Sequence, residues 1–369
     1  MNVVFLSYYN QLVYNSPESW IERIKTYAAL MEALSRQCNV TYITQMNYEG
    51  TISKKGMDYV FLKSAHKKSF FPKRLNKKVK ELQPDLVIVS GIRSPLQIMQ
   101  LRWQVGKKIK IIGRHHADKP PKGFRRILQQ FADKYFDAYL FTSYGNAMEW
   151  MEAGIIRNKR KIKELIEAST DFSRLDKKTS LQITGMGNGL NFLWVGRLNA
   201  NKDPLSVLDG FERFLATQPE AKLYMIFHEK DMLADIEQKI ARSVSLKTTV
   251  FLKGFVPHDE LPAWYSAVDF YISGSHSEGG SYALLEAMAC GCIPIVTAIP
   301  AALKMTGDGK YGIIFQPGNA NDLAEKLKGL SSIAREEFSA SIENYFRKEL
   351  STTATAEKLY GYCRQLMGE

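Results

Sequence analysis

Residues 273–291 read SGSHSEGGSYALLEAMACG and combine a glycine-rich turn, two glutamates and a helix start. Residues 267–272 before them form an apolar run of strand length, and apolar residues after the turn recur at helical spacing. The first backbone N–H groups of such a helix have no intrahelical partner, and the helix dipole adds partial positive charge. This arrangement suits a phosphate, which Gly279 and Gly280 would allow to approach the main chain.

The two glutamates, eight positions apart, need another kind of ligand group, because a carboxylate repels a phosphate. Sugar hydroxyls donate the hydrogen bonds that a carboxylate accepts. Glu286 on the helix suits a ribose, and Glu278 on the turn suits a second sugar, so the pattern describes a nucleotide sugar. Spacing leaves an alternative open, in which Glu278 is a loop charge and Glu286 a solvated helix position.

Glu278 and Glu286, followed by Ala-Met-Ala-Cys-Gly, resemble the Glu-x7-Glu motif of glycosyltransferase family four, the group 1 type with the GT-B fold. Residues 192–204, FLWVGRLNANKDP, resemble the strand and loop whose Arg and Lys bind the donor pyrophosphate. Residues 291–297 and 312–315 resemble the strands that close the same domain. The resemblance covers about residues 190 to 330 in the family's order.

The resemblance implies an α/β fold with two Rossmann-like domains facing a central cleft. Residues 1–172 would form the acceptor-side domain, 173–190 a linker and 191–350 the nucleotide-sugar-binding domain, with 351–369 a helix crossing back to the first domain. The implied function is transfer of a sugar from a UDP- or GDP-sugar to a glycan or lipid-linked acceptor, in cell-surface polysaccharide or glycolipid synthesis. Similar enzymes retain anomeric configuration. The sequence lacks the Asp-x-Asp pattern that metal-dependent transferases of another fold use, so we expect no catalytic metal and no other cofactor.

The resemblance also implies roles for particular residues. Arg197 and Lys202 would stabilise charge on the pyrophosphate, and Glu278 would orient the transferred sugar. The implied donor-binding residues are Arg197, Lys202, Gly254, Phe255, Glu278, Gly279, Gly280, Ser281, Tyr282 and Glu286.

Two adjacent histidines, His115 and His116, follow a predicted strand at residues 109–113, at the edge where open α/β sheets bind ligands. In the resembling family a histidine here contacts the donor sugar near the reacting carbon. Either residue could take this place, and His116 is slightly favoured. The alternatives are a structural histidine and a metal ligand, but further ligands for a metal are not apparent, and the sequence has no Asp-x-Asp motif.

The net charge of +12 is distributed unevenly. Residues 1–180 hold 32 Lys and Arg against 16 Asp and Glu, a balance of +16, whereas residues 181–369 hold 18 against 22, a balance of −4. A basic half favours an anionic partner, such as a membrane surface, a lipid-linked pyrophosphate or nucleic acid. No nucleic-acid-binding motif supports the last. The alternative is that the charges only keep the protein soluble.

Residues 54–80 are the most basic segment and contain Phe70, Phe71 and Leu75. We interpret them as a helix that either lies on an anionic membrane or packs on the core with a solvated face. Another amphipathic helix is predicted from Pro17 through Leu34, and Asp231 is predicted as a helix N-cap.

The remaining features favour a cytoplasmic protein, free or peripheral on the inner face of the membrane. At 369 residues and 45% hydrophobic content the chain suits two domains, without a membrane-spanning run or an N-terminal leader. Its four cysteines lack framework spacing and suit packing. The absence of G-x-G-x-x-G after the first strand argues against a dinucleotide site. Alternative functions are a nucleotide-sugar epimerase and a basic nucleic-acid-binding protein.

Overall fold

The structure is a computed structural model that describes residues 1–64 and 70–369. It divides into two compact units. The first unit comprises Met1–Ser169 with Thr352–Glu369, and the second comprises Thr170–Ser351. Each contains one mainly parallel sheet with helices, as the alternation of β and α signals predicts.

The strands, in chain order, are β1 (Asn2–Ser7), β2 (Asn39–Met46), β3 (Gly50–Lys54), β4 (Met57–Lys63), β5 (Leu86–Ser90), β6 (Lys110–Arg114), β7 (Ala138–Phe141), β8 (Ile162–Glu164), β9 (Asn191–Val195), β10 (Lys222–Ile226), β11 (Val250–Gly254), β12 (Phe270–Ser273), β13 (Ile293–Thr297) and β14 (Ile313–Phe315). The helices are α1 (Pro17–Arg23), α2 (Lys25–Leu34), α3 (Lys73–Glu81), α4 (Pro95–Val105), α5 (Phe124–Ala132), α6 (Tyr144–Glu152), α7 (Lys177–Thr184), α8 (Pro204–Leu215), α9 (Leu233–Arg242), α10 (Val244–Thr249), α11 (Leu261–Ala267), α12 (Tyr282–Ala289), α13 (Pro300–Met305), α14 (Ala320–Lys328), α15 (Arg335–Tyr345) and α16 (Thr352–Met367). Single turns of 3-10 helix lie at Asp133–Tyr135, Lys159–Lys161 and Gly329–Ser332, and a π-helical turn lies at Phe346–Leu350.

The first unit's sheet has the order β3-β4-β2-β1-β5-β6-β7-β8, and only β3 pairs antiparallel. Val3 and Phe5 of β1 pack into one core, while Val4 and Leu6 pack into another. Successive strand residues point to opposite faces, so a strand covered on both sides is apolar throughout.

The C-terminal helix α16 belongs to the first unit. Its residues Ala356, Leu359 and Cys363 are buried in the same core as Phe5 and Met31. The predicted return of this helix to the first domain is therefore confirmed.

The second unit's sheet is parallel and has the order β11-β10-β9-β12-β13-β14, the 3-2-1-4-5-6 order of a Rossmann fold. The order reverses between β9 and β12, and open α/β sheets bind ligands at such a reversal point, outside the carboxyl ends of the strands. The first unit has the same reversal between β1 and β5.

The basic segment 54–80 is not one helix, contrary to the sequence-based expectation. Met57–Lys63 forms β4, which pairs with β2 and buries Val60 and Phe61, and α3 begins only at Lys73. A run of apolar residues that completes a sheet outweighs a pattern of surrounding charges. Lys67 and Lys68 lie outside the described residues.

Three further predictions differ from the structure. Helix α7, capped by Asp176, lies inside the predicted linker 173–190. The predicted helix from Pro17 to Leu34 is two helices that meet at Ile24. Asp231 is not the N-cap, because α9 begins at Leu233 and Met232 occupies the N-cap position.

Candidate functional site

The connections after β9 and β12 form one surface at the reversal point of the second sheet. The side chain of Asn201 donates to the carbonyl of Ser277 at 3.0 Å, and the N–H of His276 donates to the carbonyl of Asn201 at 2.8 Å. The ring of His276 also contacts the carboxylate of Asp203 at 2.9 Å. Two loops distant in sequence thereby hold each other in place.

Gly274 permits this close approach, although the sequence analysis gave it no role. A Cβ at this position would lie 2.9 Å from the side chain of Val207 and 3.0 Å from the carbonyl oxygen of Asp203. Any other residue would therefore push the two loops apart.

The ammonium of Lys202 is paired with the carboxylate of Glu278, and the two side chains are only 13% and 14% exposed. The hydroxyl of Ser275 donates a second hydrogen bond to the same carboxylate at 2.8 Å. Thr297 in turn donates to the carbonyl of Ser275 at 2.5 Å. The residue predicted for the pyrophosphate and the residue predicted for the sugar thus lie side by side.

Arg197 lies on the same loop, with its side chain 52% exposed. Its Nε is 3.8 Å from a carboxylate oxygen of Glu229, at the long end for an ion pair. A pair this exposed contributes little to stability, so the guanidinium can exchange its partner at low cost.

Glu286 is buried, so the alternative of a solvated helix position is wrong. One carboxylate oxygen is 2.9 Å from Nε2 of His258, and the other accepts from the hydroxyl of Tyr265 at 3.1 Å. Burial, with the nearby Glu286 charge, raises the pKa of Tyr265 well above its ordinary value, and this keeps the phenol a neutral donor. The carboxylate is held in a defined orientation by both groups.

His258 and Tyr265 are site residues that the sequence analysis missed. The ring of His258 also packs against Phe172, with 4.8 Å between centroids. The sequence signal that could have identified His258 is its position just after β11, at the same edge of the sheet as Gly254 and Phe255. Gly254 has a φ of +69°, and Phe255 is 72% exposed.

The strand–turn–helix arrangement predicted around Gly279 and Gly280 is confirmed, with β12 before the turn and α12 after it. Ser281 is the N-cap, and its hydroxyl accepts from the N–H of Leu284 at 3.4 Å. This uses one of the first N–H groups that the sequence analysis had assigned to a ligand. Tyr282 is 43% exposed at the helix start.

The two histidines of the first unit have different environments. His115 is buried, with Nε2 at 2.8 Å from the carbonyl of Asp118 and its ring stacked on Phe141 at 4.5 Å. Burial lowers the pKa of His115 and favours the neutral imidazole. This residue is enclosed by protein groups.

His116 is partly exposed, and its Nδ1 is hydrogen-bonded to the carboxylate of Glu167. Burial acts to raise the pKa of Glu167, but the hydrogen bond and charge of His116, with the charge of Arg114, outweigh it and leave that pKa below its ordinary value. The guanidinium of Arg114 also donates to the backbone carbonyl of Glu167 and lies 4.1 Å from the ring centre of Tyr27. Of the two histidines, His116 is the one open to a ligand.

Comparison with known proteins finds a family match within the second unit. Residues 176–349 match the family described as glycosyl transferases group 1. The matched segment, the group 1 domain, lies within the second unit and contains Arg197, Lys202, Glu278 and Glu286.

Two curated relatives match part of the chain. GDP-mannose:cellobiosyl-diphosphopolyprenol alpha-mannosyltransferase of Xanthomonas campestris is 28% identical over 153 residues, which are 41% of this chain and 40% of that protein. Mannosylfructose-phosphate synthase of Agrobacterium fabrum is 28% identical over 138 residues, 36% of this chain and 30% of that protein. The matches therefore span well under half the length of these relatives.

A solved structure matches nearly the whole chain. HepE of Anabaena, determined in complex with UDP, has a TM-score of 0.74 and 14% identity, and the alignment covers 99% of this chain and 100% of that one. Similarity at this identity concerns the fold, which is GT-B.

Within residues 1–64 and 70–369, no cluster of three His, Cys, Asp or Glu side chains could hold a metal ion. In the same described part of the chain, no helix is both long and apolar enough to cross a membrane. In the group 1 domain site, Lys202 and Arg197 are cationic side chains, and the carboxylates of Glu278 and Glu286 are oriented by their hydrogen-bond partners. Such a set can bind an anion and a polyol next to each other.

Proposed function

We propose that the protein is a glycosyltransferase that moves a sugar from a UDP- or GDP-sugar to a glycan or lipid-linked acceptor. The observation that carries this proposal is the Lys202–Glu278 pair at the reversal point of the sheet, inside the group 1 domain. An ammonium and a carboxylate in contact there match a ligand that has a diphosphate joined to a sugar. The names of the relatives, which include a GDP-mannose-dependent transferase, support the same class.

The donor's diphosphate is the leaving group in this proposal. Lys202 and Arg197 stabilise the negative charge that develops on it as the glycosidic bond breaks. Glu286, oriented by His258 and Tyr265, accepts hydrogen bonds from ribose hydroxyls. Glu278 accepts from hydroxyls of the transferred sugar and orients it. Gly254, Phe255, Gly279, Gly280, Ser281 and Tyr282 complete the proposed donor-binding surface.

We further infer that transfer retains anomeric configuration and proceeds without a metal ion. The acceptor attacks from the leaving-group face, and the departing phosphate takes the acceptor's proton. Lys202 and Arg197 supply the positive charge that a divalent cation supplies in metal-dependent transferases. His116 contacts the donor sugar near the reacting carbon, whereas His115 acts from within the fold by fixing the loop.

The acceptor is proposed to be anionic and presented at a membrane, in cell-surface polysaccharide or glycolipid synthesis. The first unit holds 31 Lys and Arg against 16 Asp and Glu, a balance of +15, and the second holds 19 against 22, a balance of −3. A basic unit of this kind is attracted to a negatively charged membrane face. The attachment would be peripheral.

Thermal-shift measurements of the purified chain with UDP-, GDP- and ADP-sugars test the donor, because a bound ligand stabilises the folded state. We expect UDP- or GDP-sugars to raise the melting temperature. Incubation with the stabilising donor, with and without extracted lipid acceptors, then tests transfer. A free, epimerised sugar nucleotide formed without acceptor would contradict the transferase assignment, as would stabilisation by none of the donors.

A further inference from the structure

A cavity of about 310 Å³ lies in the first unit, and none of its lining residues is among the proposed donor-binding residues. Tyr9, which follows β1, and Arg93, which follows β5, both line it. Because the order of the first sheet reverses between these two strands, their connections diverge and leave a crevice there. The cavity therefore occupies the place in this unit where open α/β sheets bind ligands.

Part of the cavity lining is apolar. Phe70, Leu96, Pro121 and Leu128 contribute to it. Phe70 is 59% exposed, so the apolar wall extends to the surface. A ligand with a hydrocarbon segment would remove this surface from water, which is favourable by about 25 cal/mol per Å².

The cavity also carries two guanidinium groups. Arg93 is 3.5 Å from the carboxylate of Asp118, and both side chains are partly exposed. Arg125 is exposed, and among the described residues it has no acidic partner. Two guanidinium groups thus line the cavity, and one of them contacts a carboxylate. Guanidinium groups bind phosphate oxygens in a bidentate manner, so the cavity suits a phosphorylated ligand.

The cavity is next to the loop that carries His116. The backbone carbonyl of Asp118 is 2.8 Å from Nε2 of His115 and accepts from the indole of Trp150 at 3.2 Å. The same residue contacts Arg93 through its side chain. A ligand in the cavity would therefore lie beside a loop that is fixed at Asp118 and carries the histidine assigned to the donor sugar.

We propose that this cavity binds a diphosphate group together with the first carbons of the hydrocarbon chain attached to it. Its volume is at the lower end of ligand pockets, which span about 300–1,000 Å³, so it holds the charged group and a short apolar segment, not a long chain. We identify this ligand as the acceptor of the transferred sugar, and only that identification rests on the proposed function.

The first test is calorimetric titration of the full chain, without donor, using farnesyl diphosphate below its micellar concentration. Inorganic pyrophosphate and farnesol are the matched probes for the charged and apolar parts. We expect farnesyl diphosphate to bind at least tenfold more tightly than either. Absence of binding would overturn the proposal. Equal affinity for pyrophosphate would show an anion site only, and equal affinity for farnesol an apolar site only, and either result would also overturn it.

The second test uses variants that keep the fold, as checked by the melting temperature. Arg93→Gln and Arg125→Gln should each weaken farnesyl diphosphate binding at least tenfold. Arg126→Gln is the control, because Arg126 is the next residue on α5 and is not among the cavity's lining residues. Equal weakening by this control would show diffuse charge attraction and contradict the proposal.

Asp118→Asn provides a change in the opposite direction. Removing the carboxylate that competes for Arg93 should tighten farnesyl diphosphate binding, and weaker binding would contradict the proposal.

Titration with UDP separates the cavity proposal from the proposed function. If the protein binds UDP but not farnesyl diphosphate, only the cavity proposal is refuted. If it binds farnesyl diphosphate but transfers no sugar, only the proposed function is refuted.

Discussion

The side-chain ammonium of Lys202 contacts the carboxylate of Glu278, 76 positions further along the chain. Both side chains are largely buried at the junction of two connecting loops. Charges that are removed from water in this way are strongly coupled, so a change at one alters the environment of the other. The predictions that concern the donor follow from this pair and from the residues around it.

Lys202→Ala and Arg197→Ala should each weaken binding of the nucleoside diphosphate and reduce sugar transfer severely. Each lost charge-assisted contact costs about 1.5–3 kcal/mol. Calorimetric titration with UDP and GDP measures the loss. Lys239→Ala is a suitable control, because Lys239 pairs with Asp209 on helices outside the site. Wild-type affinity in both site variants would end the diphosphate assignment.

Glu286→Gln should weaken binding of bare UDP or GDP, whereas Glu278→Gln should mainly lower turnover. The first residue is assigned to the ribose and the second to the transferred sugar, which the bare nucleotides lack. Parallel titrations and rate measurements distinguish the two effects. If Glu278→Gln loses the bare nucleotide and Glu286→Gln retains it, the roles are reversed.

His258 should act on the nucleotide through Glu286. His258→Ala should lower affinity for the bare nucleotide, and His258→Gln, which keeps a donor, should recover part of it. In the double variant with Glu286→Gln the two effects should not add, because the residues share one hydrogen bond. Additive losses would indicate that His258 contacts the ligand independently.

Glu167 should make stability depend on pH. Its pKa in the folded protein is below the ordinary value of 4.5, so its contribution is present above that pH and is lost as pH falls through the folded value. Glu167→Gln should therefore lower the melting temperature at pH 7, and this deficit should become smaller at pH 3.5. Glu220→Gln, at an exposed position, is the control. An equal deficit for Glu167→Gln at both pH values would contradict the assignment.

The basic first unit should bind vesicles that contain phosphatidylglycerol more strongly than neutral vesicles. Each Lys near an anionic surface contributes about 1 kcal/mol, and salt should weaken the attachment. Co-sedimentation measures the effect in wild type and in a fourfold Lys→Gln variant at positions 67, 68, 77 and 78. The matched control changes four lysines of the second unit, Lys247, Lys310, Lys326 and Lys328. Equal pelleting with both vesicle types, or no difference between the two variants, would leave the basic residues as ordinary solvated surface.

Several features could be predicted from local sequence. The strand, turn and helix around Gly279 follow from apolar periodicity and a capping serine, which are properties of neighbouring residues. The first part of the basic segment 54–80 was predicted wrongly. Its charges suggested a helix, whereas pairing with β2 makes Met57–Lys63 a strand. Pairing depends on a distant strand, so it leaves little trace in the segment's own composition.

From the sequence alone, Glu278 and Glu286 were selected by their chemical type and spacing, and Arg197 and Lys202 by resemblance to a family, as candidate residues for one proposed ligand. The contacts of His258 and Tyr265 with Glu286, and the meeting of Tyr9 and Arg93 at one cavity, were decided by the tertiary structure. These pairs come from different elements, joined only where a sheet brings the ends of its strands to one edge. Spacing rules describe one helix or strand at a time, whereas sheet order determines which loops become neighbours.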